Sequence, residues 1–135
     1  MGYRITEIEG VGTKYADKLA TMNITTTEDL LKFSTTPVGR RQLSEKTGIS
    51  ETLILKWSNY ADMMRISGVG PQFAELLEAS GVDTVKELRN RNSENLYQQM
   101  KEVNATKGLA KASPADSVVH DWVEQAKELA PLMTY

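Results

Sequence analysis

The sequence predicts an all-α fold in which two copies of one helical unit pack together. Two observations carry this prediction. A short stretch with two glycines, IEGVG at residues 8–12, returns as ISGVG at residues 66–70 with matching flanks. Most of the remaining chain combines apolar residues at helical spacing with residues suited to helix starts, and alternating runs suited to a strand are short.

The repeat extends well beyond the glycines. Residues 8–31 align without a gap to residues 66–89, and eight of the 24 aligned pairs are identical. Similarity resumes with Trp57 and Trp122, so the second copy holds about seven more residues, which we place in 104–112. We expect a single domain, residues 1–135, made of repeat one (1–65) and repeat two (66–135). Because neither copy can bury its own apolar face, we expect a shared core that buries both tryptophans.

In repeat one, short links separate successive helices. Tyr15 and Leu19 lie at helical spacing after the first glycine turn. Three later starts follow from N-cap, capping-box and proline patterns, and one glycine marks a helix end. These start and stop residues are Thr26 with Asp29, Thr36 with Pro37, Gly48, and Ser50 ahead of the Trp57 helix.

Repeat two reproduces the same order. Thr84 and Glu87 stand where Thr26 and Asp29 stand in repeat one, and they predict the same helix start. Ser113 and Pro114, together with Asp116, are predicted to open the helix that carries Trp122.

Composition and charge narrow the classes of function. The 135 residues are 40% hydrophobic and 25% charged, which is ordinary for a globular chain. The absence of cysteine excludes disulfides and thiolate metal sites, and no apolar run approaches the length of a membrane span. We therefore expect a cytoplasmic protein with no membrane partner.

Net charge is −2, but repeat one carries nine Lys and Arg against eight Asp and Glu, so a polyanion would prefer that repeat.

The paired glycines allow several interpretations. A dinucleotide fingerprint needs a third glycine where Tyr15 and Phe73 stand, and a P-loop needs Gly-Lys followed by Ser or Thr. A helix–turn–helix joint remains, in which the glycines permit positive φ or close approach of the backbone. What approaches is either another helix or a phosphate held by the amides at the start of the next helix.

Both stretches resemble the helix-hairpin-helix motif, whose core is apolar-x-Gly-apolar-Gly. The second copy is similar to hairpins in the small domain of DNA polymerase beta. Over nearly the whole chain, the order of motifs resembles a small bacterial helix-hairpin-helix family of unknown function. The resemblance implies a SAM-like, pseudo-two-fold packing of the repeats. It also implies binding of duplex DNA backbone without sequence reading, although some members of the wider family serve protein contacts alone.

The resemblance assigns backbone groups at both hairpins. The phosphate-facing amides would be those of Gly10, Gly12 and Tyr15, with Gly68, Gly70 and Phe73 as counterparts. A monovalent cation, K⁺ or Na⁺, would sit on the carbonyls of Thr6, Ile8 and Val11, or on those of Met64, Ile66 and Val69. No other cofactor is expected.

Side chains distinguish the two hairpins. Lys14 and Lys18 stand one helical turn apart beside the first hairpin, which suits an anion. The second has Gln72 and Leu76 at those places, with Glu75 nearby. Glu78 adds a further carboxylate there.

Two functions therefore remain open. The first is a non-catalytic module that binds duplex DNA weakly through the first hairpin, with Arg40, Arg41 and Lys46 as a secondary basic contact. The alternative is a protein-interaction or scaffold module with two structural hairpins. No enzyme is expected, and no small-molecule substrate is inferred, because the single histidine, His120, lacks a nucleophile–base constellation.

Overall fold

The computed structural model describes residues 2–135, and their regular structure is helical. Within this range there is a 3₁₀ helix at Ile5–Glu7 and no β-strand beyond an isolated antiparallel bridge between Arg4 and Thr26. The α-helices are α1 (Thr13–Ala20), α2 (Thr27–Ser34), α3 (Pro37–Thr47), α4 (Glu51–Met63), α5 (Pro71–Ala79), α6 (Val85–Leu88), α7 (Ser93–Lys107) and α8 (Asp116–Glu128). The all-α prediction is confirmed.

Most helix starts lie where the capping residues predict them. Thr26 accepts a hydrogen bond from the amide of Asp29 at 3.1 Å, and the Asp29 carboxylate accepts one from the amide of Thr26, also at 3.1 Å. Thr36 caps α3, and Ser50 caps α4 in the same way. These contacts satisfy amides that the first turn of a helix leaves without partners.

The predicted cap of α8 is wrong, although the helix begins at Asp116. The N-cap is Ala115, and no side chain caps it. The Ser113 hydroxyl instead accepts from the side-chain amide of Asn104 in α7, with the Nδ2 and Oγ atoms 3.5 Å apart. Ser113 therefore belongs to the link between α7 and α8, where its neighbour Pro114 is buried.

Extra residues in repeat two are shared between a helix and a link. Helix α7 has 15 residues, against 11 in α3. After the left-handed glycines that end these helices, Gly108 and Gly48, the chain reaches the next helix at Asp116 in repeat two and at Glu51 in repeat one. The predicted insertion at 104–112 thus covers only part of the difference.

Buried apolar residues of both repeats form a single cluster at the centre of the fold. Trp57 and Trp122 are each 1% exposed, as predicted. Tyr15 meets the Trp57 ring edge-on at a centroid distance of 5.1 Å. Phe73 meets Trp122 at 5.3 Å. Each tryptophan therefore packs under the helix that follows a glycine turn, and it anchors that turn to the core.

Only the first glycine of each turn needs the conformational freedom of glycine. Gly10 and Gly68 have φ values of +91° and +94°, which side-chain-bearing residues rarely adopt. Gly12 has φ −83° and Gly70 has φ −93°, both ordinary extended values. A Cβ on Gly12 would meet no atom within 4 Å. The expectation that Gly12 and Gly70 serve positive φ or close approach within the fold is therefore wrong.

Candidate nucleic-acid interface

The first hairpin is a tight turn that leads directly into a helix. The amide of Val11 donates to the carbonyl of Ile8 at 3.1 Å, which closes a four-residue turn. Gly10 occupies the third position of that turn with φ +91°, as a type II turn requires. Gly12 then serves as the N-cap of α1. The buried residues Ile8 and Val11 hold the two ends of the turn in the core.

The start of α1 carries amides without helical acceptors. The first amide to bond back into this helix is that of Ala16, which donates to the carbonyl of Gly12 at 2.9 Å. The amides of Thr13, Lys14 and Tyr15 therefore have no acceptor within α1. No side chain caps the helix, because the N-cap is a glycine. The positive end of the helix dipole thus opens toward solvent, which suits an anion.

Two lysines flank this helix start. Lys14 is exposed, whereas Lys18 is half-buried with its Nζ atom 6.0 Å from the centroid of the Tyr15 ring. Tyr15 is itself held against Trp57. The aromatic contact therefore holds the Lys18 ammonium near Tyr15, whereas the Lys14 side chain is exposed to solvent.

The first hairpin also has carboxylates in its neighbourhood. Glu9, in the turn itself, contributes with Glu78 to a negative potential at Glu75 of α5. Burial first, and then these two charges, raise the pKa of Glu75, while Lys56 acts in the opposite direction. We call Glu9, Glu75 and Glu78 the acidic seam, because it joins the first hairpin to α5.

Tyr60 of α4 lies against this acidic seam. Its hydroxyl donates a 2.8 Å hydrogen bond to the Glu78 carboxylate. Burial of the ring, followed by the bond to Glu78, raises the pKa of Tyr60. Tyr60 therefore stays protonated and ties Glu78 to the core. The lysines would attract an anion at the first hairpin, and the carboxylates of the acidic seam would repel it.

The second hairpin has the same turn but different surroundings. The amide of Val69 donates to the carbonyl of Ile66 at 3.1 Å, and Gly70 is the N-cap of α5. Pro71 occupies the first position of α5, so this helix start has one amide fewer than α1. The Tyr3 hydroxyl lies 3.6 Å from the position that a Cβ on Gly70 would take.

A cavity of about 490 Å³ opens at this second hairpin. Its lining residues are Tyr3, Gly68, Gly70, Pro71, Gln72 and Phe73. None of them is basic, and most of the lining is apolar or aromatic. The cavity therefore does not offer the cations that a phosphate backbone requires.

Carbonyl oxygens at the two predicted cation sites can still coordinate an ion. The carbonyls of Ile8 and Ile66 each accept a turn hydrogen bond, and a carbonyl oxygen has a second lone pair. Within residues 2–135, no group of three or more acidic or histidine side chains is placed to hold a metal ion. A cation at either hairpin would thus depend on backbone carbonyls, and that assignment stays a prediction.

One of the three residues predicted to form a secondary basic contact is buried. Arg40 is 6% exposed, and its guanidinium donates to the carbonyls of Ser34 at 2.9 Å and Thr134 at 2.7 Å. Its use as a surface phosphate contact is therefore corrected, because the side chain is committed inside the fold. Arg41 and Lys46 are exposed.

His120 lies apart from both hairpins. Its Nδ1 atom is 3.2 Å from the Ser93 hydroxyl, and its Nε2 atom is 3.9 Å from a Glu124 carboxylate oxygen. All three groups are partly or largely open to solvent. The structure thus gives His120 one hydrogen-bonding neighbour, Ser93, that the sequence did not predict.

Two features of the hairpins were missed at the level of sequence. Tyr3 forms a wall of the second hairpin, although nothing in the sequence links residue 3 to residue 70. Pro71 aligns with Thr13 in the sequence repeat. Because proline has no N–H, this difference alone distinguishes the two helix starts. The acidic seam was predicted only in part, because Glu9 and Glu75 are brought together by the fold.

Comparison with known protein families identifies the family to which the chain belongs. The sequence pattern of the family described as "Domain of unknown function (DUF4332)" matches residues 9–129, and the chain belongs to that family. Searches of curated proteins and of solved structures found no significant match. Among the helices of residues 2–135, none has the length and apolar character needed to cross a membrane.

Proposed function

We propose that this chain is a non-catalytic helix-hairpin-helix module that binds the backbone of duplex DNA through its first hairpin. The observation that carries the proposal is the uncapped start of α1, which combines free amides with Lys14 and Lys18. The paired turns and the paired tryptophan contacts support the helix-hairpin-helix assignment and a two-fold arrangement of the repeats.

In this proposal, backbone amides bind the phosphate, and the lysines increase the affinity for DNA through their charge. The amides of Gly10, Gly12 and Tyr15 donate to phosphate oxygens, and the open space around Gly12 allows the DNA backbone to approach. The two lysines displace counterions from the duplex. None of these groups reads a base edge, so binding does not depend on sequence. A K⁺ or Na⁺ ion on the carbonyls of Thr6, Ile8 and Val11 would add positive charge to the same hairpin.

The binding is expected to be weak. Two lysines and a few amides reach only a few phosphates, so the dissociation constant should fall in the non-specific range of about 10⁻⁴ to 10⁻⁶ M. The acidic seam lowers affinity further, because its carboxylates repel phosphate. The second hairpin contributes little, since Pro71 removes an amide and Gln72 replaces a lysine.

A second candidate is a protein-interaction module in which both hairpins are structural. The observation that favours it is the exposure of Phe33 on α2 and Val38 on α3, 42% and 50%, neither of which belongs to a hairpin. The two functions use different residues, so separate variants can test them.

Fluorescence anisotropy of a labelled duplex at low salt tests the DNA proposal. Wild type should bind, and its affinity should fall with salt at a slope of about −0.9 per phosphate neutralised. Charge reversal at both lysines, K14E with K18E, should abolish binding while thermal unfolding stays close to wild type. The matched control at the second hairpin, Gln72→Glu, should change affinity little.

A further variant separates the amides from the lysines. Thr13→Pro gives α1 the residue that α5 carries at its first position, where proline is tolerated. It removes the Thr13 amide, which lies between the donor amides of Gly12 and Tyr15, and it leaves both lysines. The partial positive charge at the start of α1 should then fall, so DNA binding should weaken with the fold retained. A wild type that does not bind duplex at low salt, or a K14E/K18E variant that binds equally well, would overturn the proposal.

A further inference from the structure

A serine and the single histidine of the chain meet where α7 packs against α8. The Ser93 hydroxyl lies 3.2 Å from Nδ1 of His120, which is within hydrogen-bond distance. Ser93 is the first residue of α7, and His120 lies one turn after the start of α8. A hydroxyl that donates to a neutral imidazole nitrogen is the arrangement in which a base activates a serine as a nucleophile.

The core holds the backbone on both sides of this pair. Val119 and Trp122, which flank His120 in α8, are both buried, and so is Leu96 in the first turn of α7. The two helices also pack against each other. The separation of Ser93 and His120 is therefore set by two fixed helices, although both side chains remain open to solvent.

A carboxylate on α8 favours the tautomer in which His120 can act as a base toward Ser93. An oxygen of Glu124 lies 3.9 Å from Nε2 of His120. A negative charge at that place favours a proton on Nε2, which leaves Nδ1 as an acceptor for the Ser93 hydroxyl. Lys127 lies 3.1 Å from the same Glu124 oxygen, and its charge weakens this effect.

A cavity of about 410 Å³ opens beside the pair. Its lining residues are Ser93, Glu94, Asp116, Ser117 and His120. Both the hydroxyl and the imidazole are therefore accessible to a small molecule. Because two of the lining residues are acidic and none is Lys or Arg, the cavity repels an anionic compound and suits an uncharged one.

We propose that Ser93 is a reactive serine that accepts an acyl group from an uncharged ester, with His120 as its base. The Ser93 Oγ atom attacks the ester carbonyl carbon while its proton passes to Nδ1 of His120. The bond from that carbon to the leaving oxygen then breaks, and the alcohol or phenol departs with the proton. The products are acyl-Ser93, neutral His120 and the free alcohol, so no other reactant is required. The reaction modifies one residue of the chain and is independent of DNA binding at the first hairpin.

Brief exposure to 4-nitrophenyl acetate, followed by peptide mass spectrometry, tests the proposal. Ser93 should be acetylated faster than the other serines of the chain. His120→Gln removes the base, and it should slow acetylation of Ser93 by about 100-fold, the lower end of the effect of a general base. Diisopropyl fluorophosphate, an uncharged reagent that forms a stable ester with activated serines, should label the same residue and provides the readout if acetyl-Ser93 hydrolyses.

Glu124 acts through His120 and is a positioning residue, so its test needs a second readout. Glu124→Gln should slow labelling of Ser93 several-fold. It should also shift the neutral imidazole toward the tautomer with its proton on Nδ1. Nitrogen-15 NMR measures that ratio without ambiguity, because the chain has a single histidine. A variant with normal labelling and an unchanged tautomer ratio would remove Glu124 from the proposal.

Matched controls define the outcomes that overturn the proposal. Ser117→Ala removes the other hydroxyl that lines the cavity, and it should leave labelling of Ser93 unchanged. The 4-nitrophenyl monoester of succinic acid, which carries an added carboxylate, should react with Ser93 more slowly than the acetate. No labelling of Ser93 by either uncharged reagent, equal labelling of Ser93 and Ser117, or undiminished labelling in His120→Gln would each overturn the proposal. Faster labelling by the anionic ester would overturn the class of acyl donor. Thermal unfolding of each variant confirms that the fold is retained.

Discussion

The two hairpins have nearly the same backbone but different positions in the molecule. Their first glycines have φ values of +91° and +94°, and the aromatic residue after each turn lies 5.1 or 5.3 Å from a buried tryptophan. Yet α1 buries only Leu19, whereas α5 buries Ala74, Leu76 and Leu77. The same motif is therefore peripheral in repeat one and central in repeat two.

This difference distinguishes the residues that fix the conformation of the turn from those that determine what the turn can bind. Positions shared by the repeats, the glycines and the tryptophans, hold the backbone. Positions that differ decide what the surface offers: Lys18 corresponds to the buried Leu76, and Thr13 corresponds to Pro71. Helix α5 packs against α4 and α7, and the cavity beside the second hairpin has no basic lining residue. The first hairpin, by contrast, keeps its helix start free.

The largest expected effect tests whether the two anchors are equivalent. Trp57→Ala and Trp122→Ala should each cost about 3–5 kcal/mol in free energy of unfolding, because each removes a fully buried indole. Urea denaturation followed by circular dichroism measures both. If only one substitution were this costly, the tryptophans would not play matching roles in one core.

The glycines of the turns should show the next largest effect. Gly10→Ala should cost about 1–2 kcal/mol, because alanine is strained at positive φ. Gly68→Ala should cost more, since its Cβ would lie 3.1 Å from the Trp122 indole nitrogen, against 3.5 Å from that of Trp57 for Gly10. Gly12→Ala, with ordinary φ and open space, is the control and should be close to neutral. Thermal unfolding of the three variants would contradict this ranking if Gly12→Ala were the most destabilised.

The sequence predicted the features of the fold that depend on local residues. Helix starts at Thr26, Thr36 and Ser50 follow from side chains that bond to amides three positions away, so they can be read from spacing. Burial of both tryptophans followed from the repeat itself. The cap of α8 was misassigned because the Ser113 hydroxyl accepts a hydrogen bond from the Asn104 side chain of α7 and does not cap α8.

The candidate site was less predictable because it depends on contacts between distant residues. Nothing near Arg40 in the sequence indicates that its guanidinium reaches the carbonyl of Thr134. The conformational role of Gly12 was overestimated, because two glycines in one motif suggest two special φ values and only Gly10 has one. The acidic seam required the fold to bring Glu9 to α5.

A smaller effect is expected at a position that has positive φ in both repeats but carries a different residue in each. After α1 the chain has Asn23 with φ +59°, and the aligned residue after α5 is Gly81 with φ +88°. Asn23→Ala should cost about 1 kcal/mol, because alanine tolerates this region less well than asparagine. Asn23→Gly should be nearly neutral, since lower strain is offset by greater freedom of the unfolded chain. Differential scanning calorimetry would contradict the assignment if alanine and glycine behaved alike.

The smallest effect concerns the acidic seam, and it depends on pH. Burial, together with Glu9 and Glu78, raises the pKa of Glu75, so the folded state binds this proton more tightly than the unfolded state does. The stability from this difference is present below the ordinary value of 4.5 and is lost as pH rises through the folded pKa. Glu75→Gln, which cannot ionise, should therefore stabilise the fold at pH 7 by less than about 1 kcal/mol. The gain should vanish in acid.

The opposite sign is expected at Asp29, which makes it the control for Glu75. The Thr25 amide, the largest cause, lowers the pKa of Asp29, so its ionised form stabilises the capping box of α2. Asp29→Asn should therefore lose stability at pH 7 and recover relative to wild type as pH falls below the ordinary value of 3.8. If thermal unfolding at pH 7 and pH 3 showed Glu75→Gln to be destabilised at neutral pH, burial and the neighbouring carboxylates would not disfavour ionised Glu75.

In the DNA assay, Glu75→Gln should bind duplex more tightly than wild type, because it removes a negative charge that interacts with Glu9 of the first hairpin.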